Sequence, residues 1–202
     1  DSSNGLDTPT DVWITSDGTI YIVYNGNGTS GGGVIKKGPS DSDWTTFTLS
    51  YPGYGATAPY KINILEDGTI YVLSSYYYGY VHKKNPGDTN FTVVGSNEDN
   101  EGMFRDARGM AVASDGTVYV SQTSNGEGEG FLGNIIKKGP SDSDWSSVGF
   151  RTKESFLYTV NNEGALFIKD NILYYLGHYK VFAKSLDWLN SLRASLLYIL
   201  IQ

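Results

Sequence analysis

The chain has 202 residues, with 25 glycines, 16 tyrosines, no cysteine and a formal net charge of −7. That balance argues against a nucleic-acid surface or a polybasic membrane anchor, and the missing cysteines exclude disulfides and thiolate chemistry. No apolar stretch approaches the ~20 residues of a spanning helix, so no membrane insertion is expected.

Short apolar runs separated by Gly, Asn, Asp and Ser predict many strands and tight turns. In the first repeat, residues 9–50, "DVWIT" (Asp11–Thr15) leads into "SDGTIYI" (Ser16–Ile22), then "VIKK" (Val34–Lys37), then a run opening at Trp44. Asp-Gly between two apolar runs signals a hairpin, because glycine accepts a positive φ without a Cβ clash. The second repeat, residues 59–96, reads "KINIL" (Lys61–Leu65), "EDGTIYV" (Glu66–Val72), "VHKK" (Val81–Lys84) and a run from Phe91. The third, residues 107–150, reads "GMAVA" (Gly109–Ala113), "SDGTVYV" (Ser114–Val120), "IIKK" (Ile135–Lys138) and a run from Trp145. The fourth, residues 155–194, follows more loosely. "FLYTV" (Phe156–Val160) is its expected first strand and "NEGALFI" (Asn162–Ile168) its hairpin and second strand, before "VFAK" (Val181–Lys184) and Trp188.

The hairpin glycines, Gly18, Gly68, Gly116 and Gly164, are 50, 48 and 48 residues apart. The decapeptide "IKKGPSDSDW" occurs twice, at Ile35–Trp44 and Ile136–Trp145, as the expected corner between third and fourth strands. Repeated four-stranded units of this length predict an all-β fold, a β-propeller of four four-stranded blades forming a single domain over residues 1–202. A further strand at residues 195–202, within "SLLYILIQ", opens a partial fifth blade. It closes the ring, leads into a further unit or pairs with a neighbouring subunit, since an unpaired apolar strand is an aggregation hazard.

The third repeat, "EGMFRDARGMAVASDGTVYVSQTSNG" (Glu101–Gly126), resembles the NHL-type propeller repeat through Gly102, Phe104, Gly109, Ala111, Val112, Gly116, Tyr119 and Val120. The "SDSDW" corner is similar to that of tachylectin-2-type lectin propellers. That second resemblance implies binding of N-acetylated amino sugars between blades.

The candidate contact residues are Tyr76, Tyr77, Tyr78 and Tyr80, in "SSYYYGYVHKK" (Ser74–Lys84), where the other repeats carry Gly/Ser loops. Tyrosine offers apolar area and a polar tip at low entropy cost, which suits a glycan or a protein surface ligand. His82 takes the slot of Ile35 and Ile136 and reads as a strand residue in an altered environment; His178 has no partner recognisable from spacing. Neither the two histidines nor the acidic loops match a metal site, and no catalytic triad, nucleophile elbow or carboxylate pair is recognisable. No catalytic residue, metal or cofactor is therefore expected, and the chain is not expected to be an enzyme. Asn27 and Asn90 head Asn-x-Thr sequons and are the candidate glycosylation sites. Much Tyr, Thr, Ser, Asn and Gly with only 18% charged residues points to an extracellular or cell-surface protein. A start at Asp1 rather than Met suggests a processed product. The expected function is a non-catalytic extracellular binding module, with carbohydrate the favoured ligand. The alternative is a structural subunit of a filament or surface assembly that self-associates through residues 195–202.

Overall fold

The computed structural model describes residues 8–26, 32–49, 58–75, 79–96, 104, 107–122, 134–148, 165–176 and 181–187. Every sheet is antiparallel and follows chain order. The first holds β1 (Pro9–Ile14), β2 (Ile20–Tyr24), β3 (Gly33–Lys37) and β4 (Thr45–Thr48). The second holds β5 (Ala58–Ile64), β6 (Ile70–Ser75), β7 (Tyr80–Lys84) and β8 (Thr92–Ser96). The third holds β9 (Ala107–Val112), β10 (Val118–Gln122), β11 (Asn134–Lys138) and β12 (Ser146–Ser147). The fourth has three strands among the described residues, β13 (Leu166–Lys169), β14 (Ile172–Leu176) and β15 (Val181–Ser185). The chain divides into two compact units, residues 1–99 and 100–202, with two sheets in each.

The first hairpin of the first three sheets is a three-residue loop. Gly18, Gly68 and Gly116 have φ of 83°, 85° and 86°. Their N–H groups donate to Thr15, Leu65 and Ala113, and those residues receive the chain back through Thr19, Thr69 and Thr117. This is a turn closed by a left-handed glycine, the position where a Cβ is penalised. The preceding aspartates, Asp17, Asp67 and Asp115, each accept the N–H two residues on, at 3.0, 2.8 and 2.8 Å. The twin decapeptides fold alike. Gly38 N–H donates to Asp41 at 2.8 Å and Gly139 N–H to Asp142 at 2.8 Å, while Lys37 and Lys138 donate to the carbonyls of Ser42 and Ser143. The diverged second repeat keeps the device, with Asn85 N–H donating to Asp88. They are the third-to-fourth-strand corners that the repeat implies.

The fourth sheet adds a strand that the sequence reading passed over, β14, between "ALFI" and "VFAK". Among the described residues "ALFI" forms β13, the first strand of this sheet, which lies against β9 and β10 as β5 lies against β1 and β2. The hairpin that joins it to β14 is Asp170–Asn171, both with positive φ (50° and 60°), and the expected hairpin at Asn162–Gly164 lies outside the described residues. The expected first strand at Phe156–Val160, Trp188 and residues 195–202 lie outside the described residues.

In the unit of residues 1–99, Tyr21, Val23, Val34 and Leu49 of the first sheet are buried against Ile62, Ile64, Ile70 and Val72 of the second, with Trp13 and Phe47 at the margin. In residues 100–202, Ala111, Tyr119, Ile135 and Val148 meet Leu166, Leu173, Tyr175 and Leu186. Each of these strands packs one face on the neighbouring sheet of its own unit, which accounts for the buried Tyr21, Val23 and Tyr119.

Candidate functional site

Successive antiparallel strands place their connections at alternate ends of a sheet. One end of each of the first three sheets carries the hairpins and the Asp-capped corners described above, nearly identical from repeat to repeat. The other end carries the connections from second to third strand and from sheet to sheet, and these differ throughout the sequence. A uniform end reads as scaffold, and a variable end on a rigid scaffold is where binding residues are placed.

Three features mark the variable end. First, each of β1, β5 and β9 has an extra residue there: Thr10, Tyr60 and Arg108 interrupt the register with the next strand. A bulge bends the strand and re-aims its side chain, a device common beside functional sites. Second, in residues 1–99 the two sheets are tied together at this end. Thr10 Oγ1 donates to the Pro59 carbonyl at 2.8 Å, Ile62 N–H donates to Asp11 at 3.1 Å, and Lys61 pairs with Asp11 at 3.8 Å. A Cβ on Gly32 would sit 2.6 Å from the Pro59 ring and 2.4 Å from the Tyr24 carbonyl, so only glycine lets the returning chain pass there. Third, polar groups are buried here. Asn25 Oδ1 is shut from solvent with no hydrogen-bond partner among the described residues.

In the second sheet Ser74, Tyr80, His82 and Ser96 are all buried. Ser74 Oγ lies 3.2 Å from His82 Nε2, and the Tyr80 and His82 rings are 6.0 Å apart. Burial among apolar strands holds the His82 imidazole down at about 4, so it is neutral at physiological pH. In the third sheet Gln122 Oε1 accepts the Phe104 N–H at 2.6 Å, and Phe104, at φ 64°, stacks edge-on against Trp145 at 4.7 Å.

Of the residues that the sequence singled out, Tyr80, the first residue of β7, is 3% exposed. Tyr76, Tyr77 and Tyr78 belong to that connection and lie outside the described residues, as do Asn27 and His178. Asn90 is exposed in the corner before β8, and Phe91 next to it is buried. Sequence reasoning missed Thr10, Asn25 and Tyr60. Pro9 and Pro59, each one residue before the bulge, are the signal that was available, since proline inside a strand is confined to edges and bulges.

No family model matches the chain, and no curated protein matches it. Solved structures do. A gluconolactonase from Xanthomonas campestris is similar with a TM-score of 0.58 at 13% identity, over 89% of this chain and 59% of that one. YCF48 bound to D1 peptide is similar with a TM-score of 0.56 at 10% identity, over 88% of this chain and 50% of that one. The chain has a β-propeller type of fold. It spans between half and three fifths of the length of those two structures. The expectation that the chain is not an enzyme is overturned here. It rested on the lack of a recognisable catalytic motif, yet a protein of similar fold and almost unrelated sequence is a gluconolactonase. Fold does not fix function, so enzymatic activity stands open.

Proposed function

We propose that the chain binds a neutral, hydroxyl-rich ligand of the saccharide class at the variable end of its first two sheets. The observation that carries this reading is the chemistry of that end: the half-buried Thr10, Asn25 and Tyr60 supply a hydroxyl, an amide and an aromatic face, above the buried Tyr24 and Tyr80. The Asp11–Lys61 pair there balances its own charge. Sugar rings are recognised by such a mixture, aromatic area for the C–H faces and uncharged polar groups for the hydroxyls. The tyrosine run Tyr76–Tyr78 leaves β6 at this same end, and the likeness of the "SDSDW" corners to lectin propellers points the same way. An extracellular or cell-surface setting, with Asn27 and Asn90 glycosylated, accords with this ligand class.

A glycan array followed by calorimetric titration tests the reading. Wild type is expected to bind at least one saccharide with a dissociation constant below the millimolar range. Tyr60→Ala, Tyr76→Ala and Tyr77→Ala should each weaken it by at least about tenfold, the loss of one aromatic contact. Mass spectrometry of the bound sugar in the same mixtures shows whether it is returned intact or converted. Absence of binding to every saccharide at millimolar concentration would remove the proposal.

A further inference from the structure

The chain contains three Asp-Gly bonds, Asp17–Gly18, Asp67–Gly68 and Asp115–Gly116, and each lies in the first hairpin of its sheet. An Asp-Gly bond is open to a rearrangement within the chain. The glycine amide nitrogen attacks the aspartate Cγ, and a carboxyl oxygen leaves as water to give a five-membered imide. Water then reopens the ring at the other carbonyl, and the backbone runs through the former side chain as an isoaspartyl residue. The water lost in the first step returns in the second, so no co-reactant is needed. Glycine favours the step because no Cβ hinders the approach of its nitrogen.

The structure engages both reacting groups. The Gly18, Gly68 and Gly116 N–H groups each donate across the turn at 2.9 Å, and each aspartate accepts the N–H two residues on. Imide closure requires these bonds to open. Asp17 and Asp115 form a matched pair. Both sit in the sequence Ser-Asp-Gly-Thr, with the glycine at φ 83° and 86° and the same two backbone hydrogen bonds. They differ two residues upstream. Thr15 Oγ1 stands 2.6 Å from Asp17 Oδ1 and 3.1 Å from the Thr19 carbonyl, so its one proton goes to the nearer, charged acceptor. That bond, ahead of the Thr19 N–H, holds the Asp17 carboxyl below its ordinary range, and the uncharged carboxyl is the form that loses water. Position 113 is alanine and has no hydroxyl to offer Asp115.

We infer that Asp115 is a site of isoaspartyl formation in the folded chain, and that Thr15 shields Asp17 from the same reaction. Conversion inserts one backbone methylene into the left-handed turn between β9 and β10. Ala113 at the head of that turn and Tyr119 just beyond it belong to the core of residues 100–202, so the change loosens this sheet as the protein ages.

Wild-type protein is incubated for several weeks at neutral pH, both folded and in guanidinium chloride. Peptide mapping with electron-transfer mass spectrometry reads isoaspartate at each site, apart from the Asn-Gly pairs elsewhere in the chain. In the folded chain Asp115 should convert at least about threefold faster than Asp17, the worth of one exposed hydrogen bond. In denaturant the two should convert alike. Thr15→Val should bring Asp17 up to the rate of Asp115 with circular dichroism unchanged. Equal rates at the two sites in folded wild type overturn the inference, as does a folded chain that forms no isoaspartate at Asp115. So does a difference that persists in denaturant, or a folded Thr15→Val variant in which Asp17 stays slow.

Discussion

His82 shows how far one side chain can depart from its repeat without disturbing the strand. Its sister positions hold Ile35 and Ile136, and all three are fully buried. The imidazole is held at about 4 by burial, against 6.5 for the ordinary group. Between those two values the unfolded chain binds a proton that the folded chain refuses, so the contribution to stability is complete above about 6.5 and is lost as pH falls toward 4. The full size of the effect is on the order of 3 kcal/mol. Denaturant unfolding at pH 7.5 and 4.5 should show wild type losing more stability than His82→Ile, the carboxylates contributing equally to both. Identical losses would show that the buried ring does not resist protonation. The sequence placed this residue in a strand and in an unusual environment, both correctly. It did not point to Ser74, eight positions back, because that partner follows from strand register, which a lone sequence leaves unmarked.

Among elements, the hairpins were the most legible and the bulges the least, and the difference is physical. A left-handed residue between two apolar runs selects glycine, so Gly18, Gly68 and Gly116 announce themselves. The hairpin between β13 and β14 uses Asp170 and Asn171, which tolerate positive φ without being obliged to signal it, and so β14 went unread in the sequence. A bulge needs no particular residue, which is why Thr10 and Tyr60 left no trace beyond the proline ahead of each. The hairpins also allow strain and crowding to be separated. At Gly68 a Cβ would meet the Pro86 ring at 3.5 Å, an ordinary contact, so Gly68→Ala should cost only the conformational penalty, about 1–2 kcal/mol. At Gly18 the Pro39 ring stands at 3.2 Å, and the same substitution must also displace it. Equilibrium unfolding should rank Gly18→Ala as the more destabilising of the two. The reverse order would mean that these turns relax away from the left-handed conformation.

For the whole chain, the repeat makes a controlled experiment out of burial. Ile14 and Ile64 are one residue type at one position of two sheets, each facing a strand partner of the same kind, Ile20 and Ile70. They differ in what lies above them: Ile64 is 7% exposed under the first sheet, and Ile14 is 63% exposed. Local propensity and register are therefore shared, and the difference between their alanine variants isolates the packing of one sheet on the next. Ile64→Ala removes three carbons from a close-packed layer and should cost about 2–5 kcal/mol. Ile14→Ala in the dilute single chain should fall within about 0.5 kcal/mol of wild type, as exposed substitutions do. Equilibrium unfolding of the two variants reads both costs, and an Ile14→Ala cost equal to that of Ile64→Ala would mean that this face is packed as closely as the covered one.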